Sequence, residues 1–328
     1  MAARKPHAFV RRVLAAALFA ATAGAVAGQA ATDPATPRVI RNGAAHDALF
    51  DLAFEGRQGI AVGAFGTILA SEDGGANWRS LPAPAKTPVL LGVAMRAGRC
   101  LAVGQMGAVL AADDCRQWKN VASGNSSRLM AVSLNRDGLA YAVGAFGTVL
   151  RSGDGGLSWA PVAIDWHGIG DGGAEPHLYD VHVSDAGSVT VVGEFGVILR
   201  SADGARWQTV HRGEQALFGL AVKEGAAYAV GQAGTVLAST DGGNSWKALH
   251  TGSAAILTGV WSDGRGRVVA SGINAILRSE DGGASWRAMD SRLATRAAHN
   301  AVAAAAGEAG KPRVMTTGSA ATLLDVAQ

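Results

Sequence analysis

The chain is 328 residues long, enough for one large domain or two small ones. Apolar residues make up 48 %, Gly contributes 45 residues and Pro only 9, so the chain can bury a core and carries many tight turns. The 29 Lys and Arg against 26 Asp and Glu give +3, yet Arg4, Lys5, Arg11 and Arg12 lie in a leading stretch without acids. The remainder, 25 against 26, lacks the cationic footprint that DNA or RNA binding requires.

Residues 1–30 have the three parts of a secretory signal: a basic start through Arg12, an apolar run from Val13 to about Ala23, and small residues at a cleavable end. Cleavage is expected after Ala27 or Ala30. The apolar run falls short of the roughly 20 residues that span a bilayer, which argues against an uncleaved anchor. The twin Arg11-Arg12 suits a folded-protein export route, although its neighbours fit that signal poorly. No Cys follows the leader, so a lipoprotein anchor is not available, and no later segment reads as transmembrane. These features predict an exported, periplasmic protein, with residues 31–36 as a linker.

From residue 37 onward one pattern recurs. Its clearest copy runs from Ile60 through Val62-Gly63, Gly66 and Leu69 to Ser71, Asp73, Gly75 and Trp78. Its anchoring glycine returns as Gly104, Gly144, Gly193, Gly231 and Gly272, at spacings of 41, 40, 49, 38 and 41 residues. Upstream of each anchor lies a further apolar run: Leu49–Phe54, Leu90–Met95, Leu129–Leu134, Leu178–Val183, Leu217–Val222 and Leu257–Trp261. Each unit of about 40 residues thus offers four short strands rich in β-branched residues and separated by turns, with no helix, which reads as one blade of a β-propeller. A seventh unit at His299–Ala304, Arg313–Gly318 and Ala321–Leu324 ends before its fourth strand. The short segment Pro37–Asn42 fills that place, because an open ring would leave strand edges unpaired. The predicted fold is all-β: a monomeric seven-bladed propeller of four-stranded blades over residues 37–328, the last blade built from both chain ends. Cys100 and Cys115 fall in one hairpin unit, and in an oxidising compartment they are candidates for a disulfide; two free buried thiols are the alternative.

The turn after the third strand carries S-x-D-G-G-x-x-W at Ser71–Trp78, Ser239–Trp246 and Ser279–Trp286, and at Ser152–Trp159 with Gly153 ahead of Asp154. Ser and Asp oxygens accept from turn N–H groups, Gly supplies positive φ, and Trp packs between neighbouring units. Asp73, Asp154, Asp241 and Asp281, with Trp78, Trp159, Trp246 and Trp286, are therefore read as structural. The copies Asp114–Trp118 and Asp203–Trp207 are one residue shorter and are expected to form different turns.

This box resembles the Asp-box, or BNR-like repeat, of sialidase-type propellers. The longer string V-G-x-x-G-x-[IV]-L-x-S-x-D-G-G-x-x-W resembles the photosystem II assembly and stability factor family, over about residues 37–328. The resemblance implies a seven-bladed, non-enzymatic, exported factor that holds membrane-protein intermediates during assembly; for a source without photosynthesis it implies association with a membrane transporter.

Carboxylate pairs hydrolyse glycosides, but residues repeated at the same place in every blade do not make one asymmetric catalytic constellation. A sialidase-like site also needs a Tyr nucleophile, and Tyr141, Tyr179 and Tyr228 all read as strand packing residues. No catalytic residue, cofactor or metal is therefore assigned. A carbohydrate-active enzyme or glycan-binding lectin on the same ring is the alternative class. Departures from the repeat are better places for function. An insertion at Asp165–His177 offers Trp166 and His167 as contact residues, while His167, Asp171 and His177 match no standard metal spacing. Arg151 and Arg200 share one position at the end of the third strand; with Arg206 and Arg212 they would form a basic binding patch on blades three and four. The expected partner is a membrane protein or membrane-associated complex.

Overall fold

A computed structural model describes residues 36–167, 169, 174–307 and 310–326. The leader and the 31–35 segment, and with them the cleavage site, lie outside the described residues, as does Asp171 of the insertion. Seven four-stranded antiparallel sheets follow one another around a central channel. The first shows the plan: Leu49–Glu55 innermost, then Gln58–Gly63, Ile68–Ser71 and, at the rim, Arg79–Ser80. Five further blades repeat it, starting from Leu90, Leu129, Leu178, Leu217 and Leu257.

The seventh sheet joins His299–Ala305, Arg313–Gly318 and Leu323–Asp325 to Arg38–Arg41, which supplies the outer strand from the other end of the chain. Arg38 stands opposite Asp325 and Val39 opposite Leu324. The closure expected from Pro37–Asn42 is therefore the one that forms. Among the described residues one α-helical turn, Arg292–Thr295, departs from the helix-free reading. It enters blade seven under a Ser291 cap, whose Oγ accepts from Ala294 N at 3.1 Å, and it buries Ala294 between blades six and seven.

The second strand of each blade is buried almost throughout, as in Gln58–Gly63, while the fourth is exposed. Neighbouring blades cover both faces of the middle strands, so Ile60-Ala61-Val62 reads as a continuous apolar run rather than an alternating one. The core is correspondingly divided into layers, one at each junction between blades. Between blades one and two, Ile60, Val62 and Ile68 meet Val93, Leu110 and Trp118. Cys100 and Cys115 lie in that layer and are joined by a disulfide, with Cα atoms 5.0 Å apart.

The anchoring glycine is set by a close backbone approach. Gly144 is one example: a Cβ there would overlap the carbonyl oxygen of Arg128, which instead accepts from Ala145 N at 2.9 Å. That bond ties the turn after the second strand to the start of the innermost one.

Candidate functional site

The channel opens on two faces with different chemistry. At the face where the innermost strands begin, every blade carries the same irregularity. Leu49 pairs with Gly63 and Asp51 with Val62, so Phe50 is an extra residue, and the same shift recurs in all seven innermost strands. A β-bulge re-aims the side chain it carries. Phe50, Leu91, Met130, Tyr179, Phe218, Thr258 and Asn300 are the residues so placed, and all line one cavity of about 350 Å³ at the channel mouth.

The next position along each strand is Gly or Ala in five blades and Asp in two. Asp51 accepts from Leu52 N at 2.8 Å and from Val93 N of the next blade at 2.8 Å. Asp180 does the same with Val181 N and Leu220 N, both at 2.7 Å. Burial pushes both carboxyls up to about 7, against these backbone donors. Tyr179, pushed up to about 12 by burial and by Glu194, donates to Glu194 Oε1 at 3.4 Å. Among the described residues no Lys, Arg or His lines this cavity.

Around the mouth stand the turns that follow the second strands. In each, the residue before the second conserved Gly, or its counterpart in the last two blades, takes a left-handed conformation. Its φ is +55° at Phe65, +56° at Met106, +53° at Phe146 and +56° at Phe195, and the same region holds Ala233, Asn274 and Ala320. The first four are large and exposed, at 77, 72, 66 and 37 %. A left-handed conformation costs an L-residue about 1–2 kcal/mol. Ala233 and Asn274 show that the turn itself needs no bulk. This apolar crown on blades one to four continues inward: Phe146 packs edge-on against His177 with ring centres 4.8 Å apart, and Tyr179 packs against Phe218 at 4.8 Å.

The opposite face carries the S-x-D-G-G-x-x-W turns. In the four full copies the Asp carboxylate accepts from its own turn: Asp154 Oδ1 takes Leu157 N and Ser158 N at 3.0 Å, and Oδ2 takes Ser158 Oγ at 2.6 Å. These bonds hold Asp73 and Asp281 down to about 2 and depress Asp154 and Asp241 as well. The Trp indole N–H donates to the second Gly carbonyl, as Trp246 does to Gly243 O at 3.1 Å; Trp78, Trp159 and Trp286 match it. In the short copies that Gly is missing. Cys115 takes the positive φ in one of them, and the buried Trp118 and Trp207 Nε1 atoms find no partner among the described residues.

Of the arginines singled out from sequence, Arg151, Arg200 and Arg206 lie towards this second face. Arg200 reaches Thr190 Oγ1 at 3.1 Å and Asn244 Oδ1 of the next blade at 2.9 Å. Arg151 lies beside the Tyr141 phenol, whose pKa burial raises while the guanidinium opposes the rise. Arg206 pairs with Asp203 at 3.4 Å. Arg212 is not brought to them, since it follows the strand Gln208–His211 whereas Arg206 precedes it.

In the insertion, Trp166 is half-buried against Gly147 and the core between blades three and four, while His167 is exposed. His177 accepts from Phe146 N at 3.0 Å. Tyr141 and Tyr228 are buried between blades as expected, but Tyr179 faces the channel because the bulge turns it there. None of the residues of the mouth belongs to the repeated motif. The signal is the position after each leading Leu, or after His299 in blade seven, which varies while its neighbours repeat.

The molecule is thus a seven-bladed propeller with S-x-D-G-G-x-x-W turns on one face and an aromatic, acidic channel mouth on the other. Residues 110–249 match the family model described as photosynthesis system II assembly factor YCF48. A structure described as YCF48 bound to D1 peptide has a TM-score of 0.69 at 16 % identity, covering 90 % of this chain and 96 % of that one. YCF48 from Cyanidioschyzon merolae gives 0.68 at 18 % identity, over 89 and 98 %. Over residues 110–249 the sequence is similar to that family, and the fold it shares with these structures extends over about nine-tenths of the chain. A GH74 xyloglucanase from Xanthomonas campestris has the same fold, with a TM-score of 0.68 at 15 % identity, over 89 % of this chain and 53 % of that one. No curated protein matches the chain significantly in sequence.

Proposed function

We propose that this protein is a non-enzymatic, exported scaffold that binds a segment of a membrane protein and assists the assembly or stability of its complex. The observation that carries the reading is the crown of Phe65, Met106, Phe146 and Phe195. Exposed apolar bulk has been kept in a costly backbone conformation on four consecutive blades, where a small residue would serve the turn. The leader and the disulfide support export to the periplasm. The YCF48 solved with a D1 peptide supports a membrane-protein segment as ligand. In a source without photosynthesis, the corresponding partner is a membrane transporter subunit.

The test replaces Phe65, Phe146 and Phe195 by Asn, which tolerates the left-handed region and occupies the position in blade six. The triple variant is expected to melt at or above the wild-type temperature while recovering less partner from solubilised membranes. Undiminished recovery would overturn the docking face. A parallel variant with Arg151, Arg200 and Arg206 changed to Glu tests the second face.

The carbohydrate-active alternative keeps one supporting observation, the carboxylates Asp51 and Asp180 beside aromatic walls. Each, however, already clamps the backbone of the next blade. Turnover of a panel of aryl glycosides and sialosides would overturn the scaffold reading.

A further inference from the structure

The channel mouth has a chemistry that the repeat does not require. Asp51 and Asp180 replace Gly or Ala in only two of seven equivalent positions, and each accepts two backbone N–H groups, leaving carboxylate lone pairs uncommitted. Above them stand Phe50, Tyr179 and Phe218, three of the seven bulge residues, and the cavity they share holds about 350 Å³ without a cationic side chain in its lining. Buried negative charge normally has a positive partner. Here the lining provides aromatic faces, which attract a cation within about 6 Å of the ring centre, and carboxylates below them.

A flat, weakly hydrated guanidinium suits this combination better than an ammonium, because it stacks on aromatic rings and gives up its water more readily. We propose that the channel mouth is a binding site for an arginine side chain presented by a peptide segment of the partner. The guanidinium would stack among Phe50, Tyr179 and Phe218 and donate towards Asp51 and Asp180. The apolar crown would hold the flanking residues, since the contacts from Phe146 to His177 and from Tyr179 to Phe218 run from crown to mouth. This rests on the reading of that face as a peptide-docking surface, and adds to it the residue the surface selects.

Besides the carboxylates, the titratable group in the lining is Tyr179, which stays neutral through the neutral range; Glu194 lies behind it. Protonation of Asp51 and Asp180 would therefore compete with the guanidinium.

The experiment titrates the whole protein with acetyl-Gly-Arg-Gly-amide and with its citrulline counterpart, which has the same shape without the charge, by calorimetry. The arginine peptide is expected to bind at least about tenfold more tightly. Binding at neutral pH should release protons, read as a dependence of the apparent heat on buffer ionisation enthalpy, and should weaken about tenfold between roughly pH 8 and pH 5.5. Asp51→Asn with Asp180→Asn should abolish the preference for arginine. Phe218→Leu, a milder change, should weaken binding while leaving proton release intact.

Equal binding of the two peptides, no binding of either, or arginine binding without proton release would each overturn the proposal. Because the peptide reads the channel alone, its failure with intact membrane recovery leaves the scaffold reading standing. Loss of recovery in the crown variant with normal peptide titration localises the arginine site independently of the crown.

Discussion

Asp325 sits where the ring closes, between the two strands contributed by opposite ends of the chain. Its Oδ2 accepts from Arg313 Nε at 2.8 Å and from Arg38 Nη2 at 3.4 Å. Arg38 is 59 % exposed and its pair contributes little, whereas Arg313 and Asp325 retain only 16 and 8 % side-chain exposure. Asp325→Ala leaves the Arg313 guanidinium buried without its anion, and breaking a buried pair in this way costs about 3–5 kcal/mol. The low end applies, because Arg313 Nη1 still reaches Gly74 O of blade one at 3.4 Å. At about 2 °C per kcal/mol for a domain of this size, the melting temperature should fall by roughly 6 °C. Urea unfolding of Arg313→Met, of Asp325→Leu and of the variant carrying both closes a double-mutant cycle beside Asp325→Ala. The double variant should lie within about 1 kcal/mol of wild type, since a well-packed apolar pair removes both the charge and its desolvation cost. A single variant that loses less than about 1 kcal/mol, or a double variant as unstable as the single, would refute the reasoning.

Two further outcomes follow from the same framework. The Cys100–Cys115 disulfide spans 15 residues, and in the chain-entropy account its removal by Cys100→Ser with Cys115→Ser lowers stability by about 3 kcal/mol, read from urea midpoints under oxidising conditions. Under a strong reductant wild type and variant should converge. For the channel carboxylates, burial raises Asp51 and Asp180 from 3.8 to about 7 in the folded state. Between about pH 4 and pH 7 the folded chain then holds protons that the unfolded chain has shed, so their contribution to stability falls as pH rises. Relative to wild type, the Asp51→Asn, Asp180→Asn variant should gain stability across that window and change little above it. The comparison cancels His182 and His299, both lowered by burial, which act in the opposite sense over part of the same range. Urea unfolding at three pH values reads the difference, and a constant offset from pH 4 to pH 7 would contradict it.

The fold was legible because the repeat records local requirements. Gly144 repeats where a backbone must approach another backbone, and the S-x-D-G-G-x-x-W turn repeats where an acid must gather turn N–H groups, so a single unit read correctly gives every blade. Ring closure was legible too, from a strand missing at one end and an orphan strand at the other. The helical turn at Arg292–Thr295 was not, being too short for periodicity to register.

Residue type and spacing alone therefore determined the blades, their number and the pairing partners for closure, all of which depend on neighbours within one unit or on counting units. The tertiary structure alone decided which variable residues share a surface. Phe50, Tyr179 and Phe218 are far apart in the chain and meet because seven bulges aim their side chains at one axis. Arg206 and Arg212 are six positions apart and separate because an extended strand runs between them, at about 3.3 Å per residue. Rotation about the ring axis brings distant positions together and strand direction parts near ones, and neither is written in any single repeat.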